Sequence, residues 1–383
     1  MKIVSVMTTD SRGGAEFAAV EMLDALMARG HEAVMLSDQP AIARDTGVVV
    51  RPLEIGPKLS TRSLGRLAAG WAPYLLRLRR ALEAEMPYDV LLVHYKKEQL
   101  MARMLPRRLR QKLVWAEWGP VPFPMRKGLP RRMYVGASRA ADVIMAVSNG
   151  TRASVTEVGV DPDRVVYVPN VVRCDDITFT AEGRSRVRAD LGIPEEAFVV
   201  GCISRFHPKK RNDVVVDATI ALGGAAHLIL AGDGETEADL RERARPLGDR
   251  VHFVPTPGGD VAAVLSAFDV SVFCPSPTEG TPRAVILAML VERPPLATGA
   301  EGVADLIGEG VGHITSPEND PAALAAAITP YRDDPERRRS EGAGARRRAV
   351  ERFDAPTVAR QIEGLLDGAP AGAADASSII RGR

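Results

Sequence analysis

The stretch Pro275-Ser276-Pro277-Thr278-Glu279-Gly280-Thr281-Pro282-Arg283 lies between two apolar segments of different kind. Before it, Val-Ser-Val-Phe at 270–273 has the length and β-branched content of a buried strand. After it, Ala-Val-Ile-Leu-Ala-Met-Leu at 284–290 reads as an apolar helix. Pro282 suits the first turn of that helix, where its missing N–H costs nothing. The free N–H groups at a helix start attract phosphate. Glu279 stands just before them, and its carboxylate repels phosphate but accepts hydrogen bonds from a sugar's hydroxyls. A strand, a Glu-Gly turn and a helix N-terminus in that order suggest a site for a sugar diphosphate.

The same strand-then-helix pattern extends in both directions from this stretch. In the second half, 198–203, 228–231, 251–254, 270–273 and 295–298 read as strands, with helices between them begun or ended by Gly and Pro. In the first half the strands are 2–7, 33–36, 90–94, 113–116, 143–147 and 165–168. A Gly13-Gly14 loop follows the first of these and leads into a helix with Phe17, Val20, Leu23 and Met27 on one face, ended by Gly30. Strands alternating with helices argue for parallel sheets covered on both faces. The reading is therefore α/β: two Rossmann-like domains, 1–172 and 197–350, with parallel sheets facing across a cleft. Residues 173–196 form a charged connector with a short helix, 355–367 a helix crossing back to the first domain, and 368–383 a disordered Ala/Gly/Ser-rich tail. Ligands in such an architecture bind outside the carboxyl ends of the strands.

At 383 residues the chain is too long for one ordinary core. Its 45% hydrophobic and 26% charged content is that of a soluble globular protein. No run approaches the roughly 18 apolar residues of a membrane span, and the start lacks a signal peptide's pattern. Cys174, Cys202 and Cys274 are widely spaced and form no metal motif, so a reduced cytoplasmic protein without metal or cofactor is expected. The net charge of +1 hides an asymmetry: residues 58–139 hold 18 Lys and Arg against 5 Asp and Glu. Two readings stand side by side, solvated helix faces or a surface that meets anionic lipid or an anionic acceptor. The absence of aromatic-basic interleaving argues against nucleic acid.

Three further constellations bear on chemistry. Arg205 ends the first strand of the second domain and Lys210 follows five residues on, two cations suited to a diphosphate and to the charge it gains as it leaves. Gly232 and Asp233 lie in Ala231-Gly232-Asp233-Gly234-Glu235, a tight turn between strand and helix that serves either a ligand or the backbone alone. Gly13 and Gly14 place backbone N–H groups at a helix start in the first domain. In order and spacing these pieces, with Ala146-Val147-Ser148-Asn149-Gly150 and Val168-Pro169-Asn170, resemble the retaining glycosyltransferases of family 4, which have the GT-B fold. The resemblance covers nearly the whole chain. It implies a nucleotide-sugar donor (UDP, dTDP or GDP) held mainly by the second domain and an acceptor held mainly by the first. Arg205 and Lys210 would bind the donor diphosphate, Glu279 the donor sugar's hydroxyls, and the backbone at Gly280 and Thr281, ahead of Pro282, would fix it. Gly13 and Gly14 would close on the diphosphate from the other domain. No carboxylate pair is spaced for double displacement, which agrees with front-face attack.

The sequence departs from the family pattern in three places, of which the third, Asn170-Val171 for the usual Asn-Gly, carries no functional reading. A second Glu usually stands eight residues after the first and bonds the nucleotide ribose; here that position is Leu287, which brings a dTDP sugar into consideration. The family's His-Gly after the strand at 113–116 is replaced by Trp118-Gly119, with Glu117 adjacent. Glu117 is a candidate to receive the acceptor hydroxyl and Trp118 to stack on a sugar face, with core packing as the plainer alternative. His94, ending the preceding strand, is a third acceptor-side candidate and equally a structural one. The expected activity is transfer of a sugar to an acceptor hydroxyl of a secondary metabolite, a saccharide or a lipid-linked glycan. A GT-B nucleotide-sugar epimerase and a degenerate non-catalytic binding protein are the alternatives.

Overall fold

The computed structural model describes every residue except 10–12, 44–45, 225, 256–259, 277–279, 301, 317–318 and 369–383. The chain forms two compact units, Met1–Val172 with the chain from Ala355 onward, and Arg173–Asp354.

The first unit is built on seven parallel strands: β1 Lys2–Val6, β2 Glu32–Ser37, β3 Val49–Pro52, β4 Val90–Val93, β5 Lys112–Glu117, β6 Val143–Ala146 and β7 Val165–Tyr167. Their order is β3-β2-β1-β4-β5-β6-β7. The second unit has six: β8 Val199–Ile203, β9 His227–Ala231, β10 Val251–Val254, β11 Val270–Phe273, β12 Pro295–Thr298 and β13 His313–Thr315. Their order, β10-β9-β8-β11-β12-β13, repeats the first six positions of the other sheet. Each sheet reverses its winding once, between β1 and β4 and between β8 and β11. A crevice opens outside the carboxyl ends at such a reversal, which is where doubly wound sheets bind ligands.

The strands are apolar because both faces are covered. One face of the first sheet packs around Leu113, Trp115, Tyr134 and Ile144. Its other face packs Ile3, Leu23, Leu26 and Leu92 against the helix Gly14–Met27 and the closing helix Ala355–Leu366. Phe17 is not part of that packing. It is exposed, because the buried face of Gly14–Met27 is centred on Ala19, Met22, Leu23 and Leu26; of the expected stripe, Val20 and Leu23 are buried. Ala355–Leu366 is held by more than apolar contact. Ala355 N–H donates to the Val172 carbonyl at 3.0 Å and Gln361 Nε2 to the Tyr167 carbonyl at 2.7 Å. Glu363 accepts from Arg29 at 2.5 Å and pairs with His31 at 2.8 Å. Burying Ile362, Leu365 and Leu366 adds about 1.5–3 kcal/mol per side chain.

Residues 173–196 belong to the second unit and contain the helix Ala181–Asp190. The fully buried Arg188 fixes them there. Its guanidinium donates to the carbonyls of Ala267, Glu195 and Ala197 and pairs with Asp269 at 2.9 Å. The strands β3 and β13 were not anticipated. They are short edge strands, and β3 is largely exposed, so neither carries the apolar run by which buried strands are read.

Candidate functional site

In the second unit the loop after β8 is laced to its neighbours through the backbone. Ser204 N–H donates to the Ala231 carbonyl at 3.1 Å, Phe206 N–H to Asp233 at 2.7 Å, and Thr236 N–H to Phe206 at 3.1 Å. Gly232 and Gly234, with φ of 155° and 148°, make this possible. A Cβ on Gly232 would stand 2.0 Å from the Ser204 carbonyl oxygen, and one on Gly234 2.3 Å from that of Phe206. The two glycines thus admit a neighbouring backbone, and Asp233 contributes its carbonyl to holding the loop. Asn212 tightens it further: its Oδ1 accepts from Ser204 Oγ at 2.8 Å and its Nδ2 donates to the Arg205 carbonyl at 3.4 Å.

Arg205 on this loop is exposed and Lys210 half-buried. Lys210 ends the 3-10 turn Pro208–Lys210, whose start is fixed by His207 Nδ1 accepting from Lys209 N–H at 3.1 Å. The next residue, Arg211, is left-handed (φ 48°, ψ 42°), a conformation that costs a non-glycine residue about 1–3 kcal/mol and recurs at functional sites. Arg211 pairs with Asp213 at 3.1 Å. The Lys210 ammonium lies 5.2 Å from the ring centre of Phe273, the last residue of β11, and Ser276 N–H donates to the Lys209 carbonyl at 2.7 Å. The turn after β8 and the chain leaving β11 are therefore tied together at the reversal of the sheet.

Gly280, Thr281 and Pro282 are buried on that outgoing chain. Pro282 is extended and precedes the helix Arg283–Leu290 as its N-cap, one position earlier than the first turn expected for it. Glu279 lies outside the described residues. Leu287 is half-buried and packs on the apolar cluster that contains Ile203 and Ala231, the last residues of β8 and β9.

In the first unit the corresponding edge is polar, and most of its buried groups bond to one another. Gly13 is extended and caps Gly14–Met27, and the carboxylate of Glu16 in the first turn is buried and accepts from the Tyr95 hydroxyl. An acidic group there is favoured by the helix dipole. Burial and Glu16 push the Tyr95 hydroxyl far above its ordinary range, so it stays a neutral donor. His94 is buried between Ser5 and Trp118. Its Nδ1 accepts from the Trp118 indole N–H at 3.2 Å, and an indole N–H only donates. The ring proton of His94 therefore sits on Nε2 and is given to Ser5 Oγ at 2.7 Å. Burial lowers the His94 pKa to about 3, which keeps the ring neutral. Both nitrogens are engaged, so His94 acts by orienting Trp118, whose half-exposed ring lies nearly parallel to it (12°, centres 5.7 Å apart).

Glu117 is also turned inward. It accepts from Lys96 Nζ, from Gln99 Nε2 at 3.0 Å and from the Tyr134 hydroxyl at 2.7 Å, and it is almost fully buried. A carboxylate with three donors and no exposed face is placed to hold Lys96 and Tyr134, not to receive a hydroxyl from outside. Burial lowers the Lys96 pKa while Glu117 opposes that shift, and burial with Glu117 raises that of Tyr134. Next to Gln99, Glu98 accepts from Thr8 N–H at 3.1 Å and from its hydroxyl, with its pKa raised by burial. Sequence reasoning singled out none of Ser5, Thr8, Lys96, Glu98, Gln99 or Tyr134 as a site residue. The available signal was Lys96-Lys97-Glu98-Gln99, a charged run directly after a buried strand at the reversal of the sheet.

Two doubly wound parallel sheets of this strand order are the architecture of GT-B proteins. The family model described as Glycosyltransferase Family 4 matches residues 12–176, and that described as Glycosyl transferases group 1 matches residues 197–334. The chain is 29% identical to a D-inositol 3-phosphate glycosyltransferase of Kineococcus radiotolerans, over 89% of this chain and 87% of that protein. It is 32% identical to a 2-deoxystreptamine N-acetyl-D-glucosaminyltransferase of Streptomyces fradiae, over 61% of this chain and 54% of that one. Among solved structures, Anabaena HepE in complex with UDP and glucose superposes with a TM-score of 0.80 at 23% identity, covering 96% of this chain and 99% of the other. A sucrose-phosphate synthase of Thermosynechococcus elongatus gives 0.77 at 20%, covering 96% and 98%. The chain belongs to the family 4 type of glycosyltransferases.

Proposed function

We propose that this glycosyltransferase moves a hexose-type sugar from a nucleotide diphosphate to a ring hydroxyl of a cyclitol-like acceptor, with retention of anomeric configuration. One observation carries the donor side: Lys210 is drawn to the end of β11 while Arg205 stands on a loop locked by Gly232 and Gly234, so both cations serve the same reversal of the sheet. There they would hold the diphosphate and stabilise the charge it gains as the anomeric C–O bond breaks. Glu279 would bind the sugar's hydroxyls, the N–H groups at Gly280 and Thr281 would fix it, and Gly13-Gly14 would offer further N–H groups to phosphate. The acceptor oxygen would attack from the face that the leaving group departs, and its proton would pass to the departing phosphate oxygen. Neither Glu117 nor His94 has a free acceptor atom for that proton, which supports its transfer to the leaving group. Trp118 would offer its ring to a sugar or cyclitol face.

The acceptor class rests on two relatives. Inositol phosphate and 2-deoxystreptamine, named in their descriptions, are both six-membered carbocycles bearing hydroxyls. HepE holds UDP and glucose, which makes a UDP sugar the first donor to test, and Leu287 makes a dTDP sugar the second. The test is to incubate the protein with an α-linked UDP sugar and each of the two cyclitols and to read the product's anomeric proton by NMR. An α-linked product is expected. A β-linked product would exclude retention, and an epimerised nucleotide sugar without transfer would replace this reading by the epimerase one.

A further inference from the structure

The basic excess of residues 58–139 is not evenly spread. On the helix Leu64–Ala84, Arg79 is neutralised by Glu83 at 3.0 Å, which also takes Arg108 at 2.6 Å. Between positions 118 and 141, by contrast, there is no Asp or Glu, and Arg126, Lys127, Arg131, Arg132 and Arg139 all fall there. The same segment carries the two most exposed large apolar side chains among the described residues, Phe123 and Leu129 at 69% each, with Met133 at 51%. A soluble surface seldom exposes such side chains together. Pro122, Pro124 and Pro130 restrict the backbone around them, and Met125 and Tyr134 anchor it in the core. Arg126 stacks on Phe123 at 4.8 Å and donates to the Val121 carbonyl at 2.7 Å, and Arg131 donates to Val158 at 2.7 Å. The segment is thus held on a fixed frame, with Leu129 and Met133 exposed four residues apart on the helix Gly128–Ser138 and Lys127, Arg131 and Arg132 beside them in sequence.

The geometry points to a peripheral membrane-docking surface: Phe123, Leu129 and Met133 enter the interface of an anionic leaflet while Arg126, Lys127, Arg131 and Arg132 meet its headgroups. Charge complementarity selects the occupant, since exposed apolar side chains among cations match a surface that is anionic outside and apolar beneath. No helix among the described residues is long and apolar enough to cross a membrane, so the contact is superficial. The inference is independent of the donor and acceptor assigned above.

Co-sedimentation of the full chain with vesicles tests it, comparing phosphatidylcholine alone with phosphatidylcholine containing about one third phosphatidylglycerol. Binding to the anionic vesicles is expected, falling at least about tenfold when salt is raised from roughly 0.1 to 0.5 M. Phe123→Ser/Leu129→Ser should lower binding at least about tenfold at low salt, and Arg131→Gln/Arg132→Gln should do so separately. All these positions are exposed, so an unchanged unfolding midpoint confirms that the variants fold. Equal binding to neutral vesicles, no binding to anionic ones, or variants that bind like the wild type would each overturn the proposal. So would a dimer that Phe123→Ser/Leu129→Ser dissolves in the absence of vesicle binding, which would make this face a contact between copies.

Discussion

The carboxyl edges of the two sheets share a topology and differ in how they handle charge. At the second sheet the backbone is satisfied first, through the close approach of 204–206 to Gly232 and Gly234, and this leaves Arg205 outside and Lys210 at the rim. At the first sheet the charges themselves are the structure: Lys96, Glu117, Glu98 and Glu16 are turned inward and bonded to Gln99, Tyr134, Thr8 and Tyr95. The lesson is that a charged residue after a buried strand is not by itself a site residue. It stays at the surface where backbone contacts already hold the loop, and it faces the core where it does the holding.

The largest effect that separates the two edges should come from Glu117. Glu117→Leu strands Lys96 in a buried position without its carboxylate, which costs about 3–5 kcal/mol. Urea unfolding reads that loss directly. Arg205→Ala, at an exposed position, should move the same midpoint by no more than about 0.5 kcal/mol. Equal stability losses in the two variants would break the contrast.

A smaller effect concerns pH. Unfolded His94 titrates near 6.5, while burial holds its folded pKa at about 3. Below pH 6.5 the unfolded chain takes up a proton that the fold excludes. Stability from this group is therefore present above pH 6.5 and is lost as pH falls toward 3, by about 1.4 kcal/mol per unit. Between pH 7 and pH 5 the loss is roughly 2 kcal/mol. His94→Gln does not titrate and should flatten the pH dependence by that amount. An unchanged slope would mean that His94 is protonated within the fold and not locked between Ser5 and Trp118.

The fold was legible because buried parallel strands are apolar runs punctuated by Gly and Pro, and these runs fell where β1, β2, β4 to β7 and β8 to β12 lie. The edge strands β3 and β13 escaped because half-exposed strands of three or four residues carry no such run. Residues 173–196 looked like a linker because Arg188 reads as a surface charge, and only its burial and its bonds to Ala267, Glu195, Ala197 and Asp269 reveal it as a core residue. The turns at Gly232 and at Gly280-Thr281-Pro282 were readable from punctuation, and Arg205 and Lys210 as cations after a strand end. The roles of His94 and Glu117 were not, since direction of a side chain at a strand end is set by its neighbours: Trp118 and Ser5 for one, Lys96, Gln99 and Tyr134 for the other.

Steady-state sugar transfer by Arg205→Ala and Lys210→Ala, alone and combined, tests the central claim most directly. If these cations stabilise the leaving diphosphate, each single replacement should lower kcat/KM on the order of a hundredfold, about 3 kcal/mol, with kcat carrying much of the loss because the charge grows in the transition state. A doubly substituted enzyme that transfers sugar at the wild-type rate would contradict it.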